Sequence, residues 1–407
     1  MKRATTIAVA LLVAACDRLT GPAGGAGTSV SGTIPTSAWT KAGSPYRITD
    51  STIVPPNAVL TIEPGVTVLF ESGGKASTAS LVARGRLAAI GTARDSIRFL
   101  RKPGVPSHGG IEFADGDTST LAYVRAATDG GIVVHGAGTR VGLADAVIQG
   151  SGMRVEGGAR ATLSHCAFRN AFGISRTGGG LAVTNAAAEL LGCTFSGNHA
   201  DFGGQAASFV HATAMLVDCD FVGNGDYTFS GGGTIVAQDA TLQLANCLIV
   251  DNAGGHRPSA LYLLRGSVTL VNCTISGNRA GTALLGSDRG VILGFGSFAL
   301  AVQNCIIWGN DPPVIALDGS AAVRVSYSII EEDSTWAGNG NIDADPLFVS
   351  AANGDYRLRA GSPGVDAGDP TSPKDPDGTR ADIGRRPPAP AALRPVHTVR
   401  GPAADRN

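Results

Sequence analysis

At 407 residues the chain exceeds one ordinary domain, a length that a repeat protein reaches as a single unit. Its 57 glycines, few aromatics and a charged fraction of 16% argue against helices and for many short strands joined by tight turns. A formal charge of -1, with no local stripe of Lys and Arg, excludes a nucleic-acid-binding surface.

Lys2 and Arg3 precede an apolar run at 4–15 that is too short to span a bilayer and has the build of a secretory signal. The run ends in "LVAAC", which resembles the lipobox of bacterial lipoproteins. That resemblance implies that 1–15 is a signal peptide whose small Ala14 and Ala15 admit the peptidase, and that Cys16 is the lipidation site. Membrane lipid is then the first partner, reached through acyl chains. The expected location is the cell envelope, on the outer or inner membrane. Residues 16–29, with "GPAGGAGTS", read as the lipidated Cys and a flexible tether, and 30–110 as an N-terminal cap with the first coils.

From residue 165 the chain repeats one phrase: "HCAFRN", "GCTFSGN", "DCDFVGN", "NCLIVDN", "NCTISGN" and "NCIIWGN". Cys166, Cys193, Cys219, Cys247, Cys273 and Cys305 recur about every 27 residues, a solenoid period. The positions five and three before each Cys are apolar, from Ala161 and Leu163 to Leu300 and Val302. So are the Cys itself and the position two beyond it: Phe168, Phe195, Phe221, Ile249, Ile275 and Ile307. Each pair alternates as a half-buried strand, but the two pairs are out of phase, so the chain must turn a corner between them. The residue before each Cys is His165, Gly192, Asp218, Asn246, Asn272 or Asn304, types that tolerate positive φ. A second punctuation follows at Asn170, Asn198, Asn224, Asn252, Asn278 and Asn310.

One repeat is therefore strand, loop, strand, bend, strand, turn, which is one coil of a parallel β-helix. Coils stack about 4.8 Å apart, so like residues form columns. The asparagines are expected to bond amide to amide, and the cysteines to form a column of buried free thiols. Disulfides are the rival reading for an exported chain, but stacked Cβ atoms lie beyond the roughly 3.5–4.5 Å that a disulfide needs. There is no CxxC and no matching His column, so no metal is expected at the cysteines.

With these motifs the chain resembles the bacterial right-handed parallel β-helix repeat proteins of the pectate-lyase-like superfamily. The resemblance implies an all-β, right-handed, single-stranded solenoid of about eight to ten coils with capping segments at both ends, repeats at 111–335, and a monomer. "PYRITDSTIVPPNAVLTIEPGVTVLFESG" at 45–73 is similar to the family's leading segment. "NIDADPLFVSAANGDYRLRAGSPGVDAGDP" and "DPDGTRADIG", within 336–384, resemble the closing segment of choice-of-anchor Q proteins. The match departs at Arg385 and Arg386, where the family has an aromatic and an acid. The remainder, 385–407, reads as a disordered tail.

Enzymes of that superfamily carry catalytic residues outward from the first strand of each coil. Here those positions give His135, Arg154 and Glu156 as the nearest thing to a catalytic constellation, with no stacked pair of carboxylates, and a solvated surface is the simpler reading. The loops after the asparagines supply His199, Asp201, Phe202, Asp226, Tyr227, His256, Arg257 and Arg279, a mixture of aromatic and charged groups suited to carbohydrate; variable solvated loops are the simpler reading, and if the chain binds a glycan this patch, not the row of Arg154 and Glu156, is the expected surface. Asp366, Asp369, Asp375, Asp377 and Asp382 crowd the closing segment and make calcium the one cofactor to test; turn-forming Asp is the simpler reading. Two functions follow. One is a non-catalytic envelope lipoprotein that binds polysaccharide or a surface protein; the other is a polysaccharide lyase or glycoside hydrolase.

Overall fold

The computed structural model describes residues 27–71, 79–103, 109–173, 177–225, 232–254, 259–280, 290–312, 315–317, 320–332 and 335–385. The signal segment, Cys16 and the tail beyond Arg385 lie outside them. Among the described residues the only helical elements are two single turns, Lys41–Gly43 and Ala351–Asn353, and no helix is long and apolar enough to cross a membrane.

The chain winds through three parallel sheets. Sheet I holds Ile111–Phe113, Ile132–His135, Met153–Glu156, Leu181–Thr184 and Ala207–Val210, each paired in register with the next. Sheet II holds Thr118–Ala122, Arg140–Ala144, Arg160–Ser164, Ala187–Leu191 and Thr213–Val217. Sheet III holds Val124–Thr128, Val147–Gly150, Ala167–Gly173, Thr194–Ser196 and Asp220–Val222. From Ile235 onward the strands of sheets I and II run together as Ile235–Ala245, Leu261–Val271 and Ile292–Gln303. The rungs already begin at Thr28–Thr33, paired with Tyr46–Val54, and end at Ile329–Ile330. The described part of that segment, 45–71, is thus coiled itself, and the stack extends further toward the N-terminus than a repeat region starting at 111.

The corner between sheets II and III falls at the residue before each Cys. His165, Gly192, Asp218, Asn246, Asn272 and Asn304 all have φ between 51° and 61°. The bend turns the Cys and its second neighbour inward: all six cysteines are buried and free. Each thiol from Cys166 to Cys273 donates to the carbonyl of a Leu on the preceding rung, at 3.5–3.8 Å. Burial pushes the Cys219, Cys247 and Cys305 thiols well above their ordinary range, which keeps them protonated. Beside them Phe168, Phe195 and Phe221 stack face to face with centroids 4.7 Å apart, the rung spacing itself.

The asparagines form the second internal column. The side-chain amides of Asn198, Asn224, Asn252 and Asn278 each donate to the next asparagine's Oδ1 at 2.8–3.0 Å and to a carbonyl one rung back. The same Oδ1 atoms accept the backbone N–H of the preceding asparagine at 2.9–3.1 Å. Every polar atom of the buried amide is thereby used. Asn170 does not belong to this column. It lies one residue early in register, at the left-handed turn position occupied elsewhere by Gly197 and Gly223, and Ala171 takes the ladder site with its N–H on Asn198 Oδ1.

The closing segment folds back over the outer surface of sheet III. Gly384 N–H donates to Asn304 O, Arg385 N–H to Thr274 Oγ1, and Ile383 packs with Ile306 and Ile329. Arg385, where the resemblance to the family fails, reaches Asp220 at 2.7 Å. Burial raises the Asp220 carboxyl, and the Arg385 charge lowers it.

Two consequences are measurable. Asn224→Ala strands the Asn198 donors and the Phe195 carbonyl, so urea unfolding should lose about 1–3 kcal/mol. An unchanged midpoint would contradict the ladder. Arg385→Ala should cost roughly 1–3 kcal/mol at neutral pH by leaving the Asp220 charge uncompensated. The Asp220 carboxyl then holds its proton more firmly in the folded than in the unfolded chain. The deficit should therefore shrink as pH falls through that raised value, and equal losses in thermal melts at pH 7.5 and 4.5 would refute the pairing.

Candidate functional site

On the strands Ile111–Phe113, Ile132–His135 and Met153–Glu156, alternate residues fill the core and the rest face out. The outward set is Glu112, Val133, His135, Arg154 and Glu156. In register, Val133 lies between Glu112 and Arg154, and His135 beside Glu156. Glu112 reaches diagonally across one rung, placing Oε1 2.8 Å from His135 Nε2. Arg154 sits next to this pair with its Nε buried and without a hydrogen-bond partner.

These side chains, with Gly136, Gly157, Thr184 and Asn185, line an open groove of about 700 Å³. Two of the connections from sheet III to sheet I beside it, 129–131 and 151–152, are short turns. In later coils the connections are longer, and the outward-facing Ala182, Ser208, Val236 and Leu293 are buried.

The three sequence candidates His135, Arg154 and Glu156 thus come together, joined by Glu112, which the sequence reading missed. Glu112, like His135, stands in a coil without the Cys and Asn punctuation. Its alternation in "GGIEF" was the available signal. Glu112 and Glu156 are two rungs and two residues apart, with the Glu112 carboxyl turned toward His135, the register neighbour of Glu156.

The loop candidates are placed less simply. His199 is 8% exposed and lies flat on Phe172 at 4.9 Å, with Asp201 at 3.8 Å, so it packs inside the wall instead of facing a ligand. Phe202, 65% exposed, and Arg279 remain on the surface. Asp226, Tyr227, His256 and Arg257 lie outside the described residues. In the closing segment Asp369 and Asp377 accept the N–H and hydroxyl of Thr371 and Thr379. Asp382 and Asp375 accept the N–H groups of Asp366 and Asp382. The Asp369 and Asp377 bonds are local turn bonds and the other two tie separate stretches of the closing segment together; no group of three acids, histidines or cysteines converges as a metal cage among the described residues.

Residues 130–298 match the family described as right handed beta helix region. None of the curated proteins compared matches the sequence. Among solved structures, the crystal structure of pectate lyase Pel9A is similar at 16% identity, over 82% of this chain and 88% of that one, with a TM-score of 0.45. The coiled parallel sheets and the matched region together make the chain a right-handed parallel β-helix.

Proposed function

We propose that this chain is a cell-envelope lipoprotein whose rigid β-helix binds carbohydrate without transforming it, and that the groove of Glu112, His135, Arg154 and Glu156 is its recognition surface. The observation that carries this reading is the groove: four charged or polar side chains on strands that a full column of core residues holds in place. Preorganised donors and acceptors of this kind suit the hydroxyl and carboxylate groups of a glycan. The four rungs from Glu112 to Thr184 span about 14 Å, room for two or three sugar units. Against catalysis stands the pairing of Glu112 with His135, which engages one of the two carboxylates of the groove. The "LVAAC" sequence supports anchoring, and many anchored copies would raise the avidity of a short, weak site.

A glycan array probed with the soluble Cys16→Ser chain tests the reading. Arg154→Ala and Glu156→Ala should each weaken the best hit at least about tenfold. Binding that survives both changes places recognition elsewhere. Chain cleavage that depends on Glu156 or Glu112 assigns the fold to a lyase or hydrolase instead. Metabolic labelling with a fatty-acid analogue should mark the native chain and not Cys16→Ser.

A further inference from the structure

A second cavity, of about 410 Å³, lies far from the groove, where the closing hairpin meets the turns that leave sheet III. Its floor is the left-handed turn column. Asp251, Gly277 and Gly309 occupy it on successive rungs, at φ of 55°, 66° and 68°. A Cβ on Gly277 would come within 2.4 Å of Asp251 Oδ1, so the glycine makes room for that carboxylate. The wall is Trp308 from sheet III and Phe348 and Tyr356 from the antiparallel hairpin strands Phe348–Ser350 and Asp355–Leu358. Phe348 and Tyr356 meet edge to face at 5.3 Å.

The charges are placed with equal economy. Tyr356 donates its hydroxyl to Asp251 Oδ2 at 3.1 Å, joining residues 105 positions apart. Asp345 adds a second carboxylate, one oxygen of which accepts Leu347 N–H. The guanidinium of Arg359 at the rim is turned onto the carbonyl of Val349 at 2.7 Å. Asp251 is exposed at the mouth of the cavity; partial desolvation pushes its carboxyl up, while the Tyr356 bond and the Arg279 charge act to lower it. A partly desolvated carboxylate beside aromatic faces is the chemistry that receives an alkylammonium group: the acid supplies charge and the rings supply their negative faces.

We propose that this cavity binds the ammonium head of a small organic cation, with Asp251 and Asp345 as counter-charges and Trp308, Phe348 and Tyr356 as the aromatic wall. The site is independent of the glycan groove. Closing the helix end and binding a cation then use the same residues, so occupancy stabilises the hairpin against the coils.

Choline titrated into the soluble Cys16→Ser full-length chain, followed by calorimetry and by Trp fluorescence, is the test. Its neutral isostere 3,3-dimethyl-1-butanol is the control. Choline should bind, raise the melting temperature and change the emission, whereas the isostere should do none of these at equal concentration. Asp251→Asn should weaken choline about tenfold. Asp345→Asn, which leaves the Tyr356–Asp251 bond in place, should weaken it severalfold, separating lost charge from a displaced hairpin. Absence of choline binding, equal binding of the isostere, or unchanged affinity in both variants overturns the proposal.

Discussion

From Thr118 onward each rung of this solenoid leaves sheet II and enters sheet III through a single residue in the left-handed backbone region. An L-residue there costs of the order of 1–2 kcal/mol unless it is Gly, or an Asn or Asp whose side chain eases the turn. The column at this corner reads Tyr123, Asp145, His165, Gly192, Asp218, Asn246, Asn272, Asn304 and Tyr327, all at positive φ. The sharp bend is what lets residues two apart on one side and two apart on the other both face inward. Once it is made, the Cys and Phe or Ile columns are buried without further choice, and the stack can pack identical groups on identical groups. Parallel in-register stacking then repeats the same problem at each level and the same solution to it.

The asparagine column answers a different demand. A turn at the edge of the core leaves backbone carbonyls facing inward where no strand partner reaches them. A carboxamide has two donors and a carbonyl oxygen of double capacity, so one Asn per rung satisfies a carbonyl behind it, the amide beside it and the next Asn in line. Neither Asp nor Ser could do all of this without leaving a buried charge or an unmet carbonyl. With the interior fixed this way, the outward positions and the connections are free to vary. Around Glu112 to Glu156 the outward residues line an open groove, whereas on later rungs the outward-facing Ala182, Ser208, Val236 and Leu293 are buried.

Much of this could be read in the sequence because it is periodic. The corner, the inward thiols and the amide ladder all follow from the order of six residues repeated about every 27. Asn170 misled because its coil keeps the Asn but shifts it by one residue, and in a strand one residue decides which way a side chain points. Glu112 was overlooked although, like His135, it alternates on the first strand of a coil without Cys and Asn. His199 carried a ligand's chemistry in a packing position, and only its stacking on Phe172 reveals that. The Arg385–Asp220 and Tyr356–Asp251 contacts had no signal at all. They join the closing segment to rungs more than a hundred residues away, across connections of unequal length.

The claim on which the rest depends is that the asparagine column is continuous and buried inside the stack. Hydrogen exchange resolved to single amides tests it most directly at Asn198, Asn224, Asn252 and Asn278, whose backbone N–H groups donate to side-chain oxygens instead of to a strand. These four amides should exchange as slowly as those of the neighbouring strand residues Phe195, Phe221, Ile249 and Ile275, opening only with the coils themselves. Exchange at the rate of solvent-exposed turns would show that the column is not closed, and would contradict the account.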